Sequence, residues 1–314
     1  MHRVLAILGP TAVGKSWLGL LLGETLPGEI ISADALQAYR GFDIGTAKPS
    51  AAECLRVPHH LIDIRDPDEP YSAGEFSRLA SGKLEEIRQR QRRPLVVGGS
   101  GLYVRALLDG ISPIPATSRE IREELGRELA DCGLSSLFRR LEKVDPATAS
   151  RLSRGDTQRV MRALEVVLST GRPLSSWLAD NPTGPGGLES VRLGLTLPRD
   201  VLYDRISERV GAMIGAGWVE EVEGLLNEGY GPGIPAFQAI GYRQLAEHIA
   251  GKISLEEAIA KIVRATCRYA KRQMTWFRRE EAIFWFSMED SRQCYLEVSH
   301  FLRELGIGGN NDQG

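Results

Sequence analysis

The chain has 314 residues, with 39 Lys+Arg against 41 Asp+Glu, a formal net charge of −2 and 42% hydrophobic against 25% charged residues. That balance excludes a disordered or fibrous protein, and the length allows one large or two moderate domains. Cys54, Cys132, Cys267 and Cys294 have no CxxC spacing, which argues against a zinc site or a disulfide framework, and no apolar run approaches the roughly 18 residues of a membrane span. A reduced, cytoplasmic, non-membrane protein is expected.

In chain order, Val4 to Leu8 is a short apolar run that stops at Gly9 and leads through Gly14-Lys15-Ser16 into a helical pattern over Trp17 to Leu26. Further β-like runs, Glu29 to Ser32 and Pro94 to Val97, stop at Ala33-Asp34 and at Gly98-Gly99-Ser100-Gly101. Apolar strands alternating with helical stretches predict a parallel sheet with right-handed crossovers, its ligands gathering at the C-terminal edge. From about Ser112 charged amphipathic helices follow: Ser118 or Thr117 caps Arg119 to Ala130, and Asp156 caps Thr157 to Thr170, which Gly171 and Pro173 stop. After the Gly/Pro stretch Asn181 to Gly187, Val191 to Leu197 reads as a return to the sheet. The stretch from Pro198 to about Glu281 reads as helical and Ala282 to Phe286 as a last strand. The expected architecture is an α/β parallel-sheet core flanked by helices, residues 1–112 and 190–305. It carries an all-helical insertion over 113–189 and a disordered tail over 306–314.

Gly9-Pro10-Thr11-Ala12-Val13-Gly14-Lys15-Ser16 fits GxxxxGK[ST] between a strand and a helix, the context this phosphate loop requires. Loop N–H groups and the helix N-terminus would wrap a pyrophosphate or nucleotide such as ATP, Lys15 would add charge, and the Ser16 hydroxyl would ligate Mg²⁺. Nucleotide hydrolases place an acid after a neighbouring strand to hold the Mg²⁺ water. Here Gly98-Gly99 stands there, and Asp63 is a weaker candidate, so the loop reads as a holder of a pyrophosphate leaving group. Thr11 adds a hydroxyl that either touches a bridging phosphate oxygen or stabilises the turn.

Asp34 follows the second strand directly, at the sheet edge beside the loop. A carboxylate there can take a proton from an alcohol or an amine, or else cap a helix over Ala35 to Tyr39. Between Lys261 and Arg279 the chain carries Lys261, Arg264, Arg268, Lys271, Arg272, Arg278 and Arg279, no acid, and Tyr269, Trp276 and Phe277 among the cations. Such a run is either a solvated helix face or a surface for phosphate contact and base stacking.

These residues resemble one family over nearly the whole chain, the bacterial tRNA dimethylallyltransferases, also called tRNA isopentenylpyrophosphate transferases. The blocks are GPTAVGKS at the loop, SADALQAYRGFDIGTAKP from Ser32, VPHHLIDIRDPDEPYSAGEF from Val57, VGGSGLYVRALL from Val97, QRVMRALEV from Gln158, IGYRQL from Ile240 and ATCRYAKRQMTWFRR from Ala265. Two departures are small: Ala35 stands where many members have Ser, and Ser100 where others have Thr.

The resemblance implies transfer of a dimethylallyl group from dimethylallyl pyrophosphate to N6 of the adenosine 3′ of the anticodon, with Mg²⁺ as cofactor. It implies as partners the tRNA anticodon stem-loop and the prenyl donor, with no membrane and the chain acting as a monomer. Asp34 becomes the general base, and Lys15, Thr11 and Arg209 the catalytic residues on the pyrophosphate, with Arg205 competing for Arg209's place. By the same carry-over Asp34-Ala35-Leu36-Gln37, Gln158-Arg159-Val160-Met161-Arg162, Gln238-Ala239-Ile240-Gly241-Tyr242-Arg243 and Lys271-Arg272-Gln273-Met274-Thr275-Trp276-Phe277-Arg278 face the tRNA, with Ser100 and Arg122 as isolated contacts. The adenine must be extruded from its stack. Gln37 is expected to read an adenine edge, and Tyr242, Trp276 and Arg243 to stack on bases, Trp276 having a place in the core as its alternative. Val160, Leu164 and Val167 are expected inside the insertion, opposite Arg159 and Arg162. A small-molecule kinase, prenyl transfer to free adenine nucleotides and an RNA-binding nucleotide switch are the competing functions.

Overall fold

The computed structural model describes residues 3–115, 117–180, 187–280 and 282–308. It divides into two compact units, Met1–Leu108 with Gly187–Gly314, and Asp109–Gly186.

In the first unit β1 (Val4–Leu8), β2 (Gly28–Ser32), β3 (His59–His60), β4 (Arg93–Gly98), β5 (Ser190–Thr196) and β6 (Ile283–Ser287) form one sheet in the order β3-β2-β4-β1-β5-β6. Every pairing is parallel. β1, β2 and β4 are buried at every position, as expected of strands covered on both faces. The crossovers supply α1 (Lys15–Thr25), α2 (Ala51–Arg56), α3 (Ala73–Gln89) and α4 (Gly101–Leu108). Register fixes what meets at the C-terminal edge: Ser32 stands opposite Val97, and Leu8 opposite Gly98. The Gly9–Ser16 loop, Asp34 and the Gly98-Gly99-Ser100 turn therefore leave the sheet side by side, where open α/β sheets bind ligands. β3 is too short to carry a strand pattern and was not expected.

The second unit holds α5 (Arg119–Cys132), α6 (Leu134–Val144), α7 (Pro146–Ala149), α8 (Thr157–Thr170) and α9 (Leu174–Ala179). Its core is Leu125, Leu137, Phe138, Leu141, Ala149, Val160, Ala163 and Leu164. Ser118 caps α5 by accepting the Ile121 N–H, and Asp156 caps α8 by accepting the Arg159 N–H. The insertion was expected over 113–189. The compact unit instead runs over Asp109–Gly186, starting earlier and ending earlier than expected, and the Gly187 N–H donates to the Leu108 carbonyl at 3.1 Å within the first unit. Most of the Gly/Pro stretch, residues 181–186, lies outside the described residues.

The chain then forms α10 (Arg199–Gly215), α11 (Trp218–Asn227), α12 (Tyr242–Ile249), α13 (Leu255–Phe277) and α14 (Ser291–Glu304). Phe42, Trp218, Val222, Phe237, Tyr242, Leu245 and Ile262 build a second apolar cluster in this unit, beside the cluster that packs on the sheet. The tail was expected to lose order from Gly306. Ile307 is instead 4% exposed, packed in the sheet's core cluster, with its N–H on the Leu302 carbonyl. Residues 309–314 lie outside the described residues. Among the described residues no helix is long and apolar enough to cross a membrane.

Candidate active site

Between β1 and α1 the loop turns through Ala12 at φ 64 and Gly14 at φ 104, left-handed backbone that lets successive N–H groups point inward. Gly14 is the N-cap of α1, which has no side-chain cap and no acid in its first turn. Its leading N–H groups thus have neither of the usual internal partners, the arrangement of an anion site. A cleft of about 250 Å³ opens there, lined by Ala12, Gly14, Lys15, Ser16, Trp17, Arg205 and Arg209.

Lys15 Nζ donates to the Pro10 carbonyl at 2.6 Å. Burial and the nearby Arg209 charge bring its pKa down to about 7, against an upward pull from Asp34. Arg209 is likewise lowered by burial and raised by Asp34. Two cations held without an equal number of anions favour an arriving polyanion. α10 carries Arg205 and Arg209 four residues apart, but their surroundings differ. Arg205 Nη2 donates to the Met288 carbonyl at 3.2 Å, whereas Arg209 has no hydrogen bond or ion pair among the described residues. Neither forms the surface ion pair with Asp204 or Glu208 that their spacing also allowed.

Asp34 Oδ1 accepts the Leu36 N–H at 2.9 Å, closing a turn over residues 35–38. The helix over Ala35 to Tyr39 does not form, so the carboxylate is not a helix cap. Its charge acts on Lys15, on Arg209 and on the phenol of Tyr269, which burial, then Asp34, push up to about 12 against the counter-effect of the Ser100 and Gln273 side chains.

Several expected contacts are corrected. Gln37 is satisfied internally, its oxygen accepting Ser32 Oγ at 2.7 Å and its amide donating to the Thr46 and Ala47 carbonyls at 3.2 and 3.1 Å, so it has no spare donor edge for an adenine. Asp63 pairs with Lys48 at 2.5 Å beyond the edge strand β3, which β2 and β4 separate from β1, and is no partner for a loop-bound metal. Tyr242 is fully buried, with its hydroxyl on Glu221 at 2.7 Å, and cannot stack on a base. Gly241 is buried against Trp218, and Phe277 is 1% exposed. Gln273 is 7% exposed, its Oε1 accepting the Thr11 N–H at 2.9 Å and its Nε2 donating to the Gly99 carbonyl at 3.0 Å. Trp276 is half-buried, with its indole against Gly101. In the basic run Lys261 pairs with Glu257 at 3.0 Å, while Arg264, Arg268, Lys271, Arg272, Arg278 and Arg279 are exposed, as are Arg243, Gln238 and Thr275.

In the second unit Gln158 and Arg159 are exposed, Arg159 pairing with Asp156 at 2.9 Å. Arg122 and Arg162 converge on Glu165, which is 6% exposed, at 3.1 and 3.4 Å. Val160 is buried in the core, which removes it from any RNA face, and Met161 packs against that core; Val167 is half-buried and Val166 takes the inward place. Glu165 was overlooked, although an acid on the apolar face of α8 three residues from Arg162 signals a buried pair.

A model of the family described as "IPP transferase" matches residues 37–280. The chain belongs to the IPP transferase family. Relatives in this family include the tRNA dimethylallyltransferases of Geobacter sulfurreducens, 47% identical over 90% of this chain and 91% of the relative, and of Geobacter metallireducens, 48% identical over 90% and 92%. Among solved structures, the tRNA isopentenylpyrophosphate transferase of Bacillus halodurans superposes with a TM-score of 0.70 at 40% identity, covering 97% of this chain and 96% of that one. A eukaryotic dimethylallyltransferase acting on tRNA gives 0.80 at 25% identity, covering 99% of this chain and 82% of its own. The family match begins at Gln37, so the Gly9–Ser16 loop and Asp34 rest on the site's own geometry.

Proposed function

We propose that this enzyme transfers a dimethylallyl group from dimethylallyl pyrophosphate to N6 of the adenosine 3′ of the anticodon in cytoplasmic tRNA, releasing pyrophosphate. The observation that carries this reading is the convergence of the uncapped, cationic loop and Asp34 at one edge of the sheet. The loop and Arg209 bind the pyrophosphate of the prenyl donor, and Asp34 faces the acceptor amine. The C1–O bond of the donor breaks as C1–N6 forms, and the displaced N6 proton passes to Asp34.

An aromatic amine is a weak nucleophile because its lone pair is delocalised into the ring, so a positioned base contributes about 10²–10⁴-fold. Positive charge develops on the allylic C1 and negative charge on the leaving oxygens. Loop N–H groups, Lys15 and Arg209 stabilise the latter in a partly dry cleft. Thr11 contributes its hydroxyl to the same oxygens. Ser16 is exposed at the first turn of α1, and among the described residues no group of His, Cys, Asp and Glu forms a metal cluster. A Mg²⁺ bound with the pyrophosphate would be held on the protein side by the Ser16 hydroxyl. When bound it supplies charge to the departing pyrophosphate. The exposed cations of α13 and Arg243 provide phosphate contacts to the anticodon stem-loop in the first unit, and Arg122, Arg159 and Arg162 offer cations for RNA in the second.

Incubation of the protein with Mg²⁺, unmodified tRNA carrying adenosine beside the anticodon, and either dimethylallyl pyrophosphate or ATP, followed by mass spectrometry of the nucleosides, tests this. A C5H8 gain on adenosine that depends on the prenyl donor is expected. No gain on tRNA, with phosphoryl transfer from ATP to small alcohols instead, would overturn it in favour of a kinase.

A further inference from the structure

Gln273 sits on the buried stripe of α13, between Ala270 and Phe277. An amide there needs partners at both ends, and it finds them on the two loops that form the site. Its oxygen accepts the Thr11 N–H at 2.9 Å and its nitrogen donates to the Gly99 carbonyl at 3.0 Å. The fit is close: a Cβ on Gly99 would stand 2.2 Å from Gln273 Nε2, and one on Gly101 would stand 2.3 Å from Trp276, almost one turn further along the same helix. Beside Gly99, the Ser100 N–H donates to the Ala33 carbonyl at 3.3 Å, which ties this turn to the residue before Asp34.

Two consequences follow from this geometry. The Thr11 N–H is committed to Gln273, so Thr11 can address a phosphate only through its hydroxyl. The loop that takes the donor and the turn that abuts the acceptor's base are joined by a single side chain.

We propose that Gln273 is a positioning residue for the transfer, its amide holding the phosphate loop at Thr11 and the acceptor-side turn at Gly99 in fixed register. This rests on the prenyl-transfer reading of the site. The reaction breaks C1–O while C1–N6 forms, so the two reactants must stay aligned, and a misplacement of about 1 Å costs about 10²-fold in rate.

The test measures kcat, with saturating dimethylallyl pyrophosphate and tRNA, for the full chain and for Q273L and Q273E. Q273L keeps the shape and loses both bonds; its kcat falls about 10²-fold while tRNA affinity, read by filter binding, stays within about threefold. Ionised Q273E can still accept from Thr11 but opposes the Gly99 carbonyl. Its protonated form donates and accepts as an amide does, so its kcat relative to wild type rises as the pH is lowered from about 8 to about 6. A residue that merely filled space would not give this recovery. A kcat for Q273L within about twofold of wild type, or a flat Q273E ratio across pH, overturns the proposal, and the Q273E profile decides alone should Q273L not fold. Absence of transfer by the wild type overturns the reaction reading and this inference with it, whereas transfer with unaffected variants overturns only this inference.

Discussion

The Tyr242 hydroxyl donates to Glu221 at 2.7 Å, and the same carboxylate accepts the N–H groups of Asp43, Ile44 and Gly45 at 3.0, 2.6 and 3.3 Å. One acid on α11 thus fastens the segment that follows the Asp34 turn to α12. Its charge, after burial itself, also pushes the Tyr242 phenol upward, keeping it a neutral donor. Glu221→Ala leaves these donors without an acceptor and should cost about 2–4 kcal/mol of stability. Denaturant unfolding measures the loss, and hydrogen exchange at Asp43 to Gly45 should accelerate. A change below about 0.5 kcal/mol would mean that water replaces the carboxylate.

Burial, with the Arg209 charge beside it, brings the Lys15 pKa down to about 7. A bound pyrophosphate raises that value by Coulomb attraction, so above about pH 7 binding takes up a proton. Affinity for the prenyl donor should then be level below that pH and fall by up to about tenfold per unit above it. Calorimetry in buffers of different ionisation enthalpy counts the protons; zero uptake at about pH 8 would refute a Lys15 that is neutral before binding.

Arg205 and Arg209 share a helix face but differ in their partners. Arg209→Ala should lower kcat/KM for the prenyl donor by about 10²–10³-fold, the loss typical of a donor to developing negative charge. Arg205 already spends a donor on the Met288 carbonyl, and its alanine variant should lose less than about tenfold. Equal losses would show that both reach the leaving group.

Asp34→Asn preserves the acceptor that closes the turn with Leu36 and removes only the basicity. Transfer should drop by about 10²-fold or more, with the dissociation constant for dimethylallyl pyrophosphate little changed. Comparable loss of donor binding would place Asp34 on the pyrophosphate side instead.

Much of this was legible in the sequence. The strands were readable because fully buried parallel strands appear as unbroken apolar runs, and the caps Ser118 and Asp156 because their side chains act within their own turn. The loop between β1 and α1 was readable because GxxxxGK[ST] after an apolar run is a local motif. Contacts distant in sequence were not: Gln273 lies 262 positions from Thr11, and its only trace was an amide within an apolar stripe. Family blocks mark which segments matter without separating the residue that touches a ligand from the one that holds the segment. Gln37, Tyr242 and Gln273 belong to the second kind.

The hydrogen bond from Gly187 to Leu108 brings the two chain ends that flank residues 109–186 within one bond of each other. To the sheet, that whole stretch is topologically a hairpin tip. Its length costs the sheet little in closure entropy, which grows only as the logarithm of loop length. Evolution can accordingly lengthen, replace or trim the helical unit without moving a strand, and a short linker joining Leu108 to Gly187 should leave a foldable sheet on which prenyl-donor binding can be studied by itself.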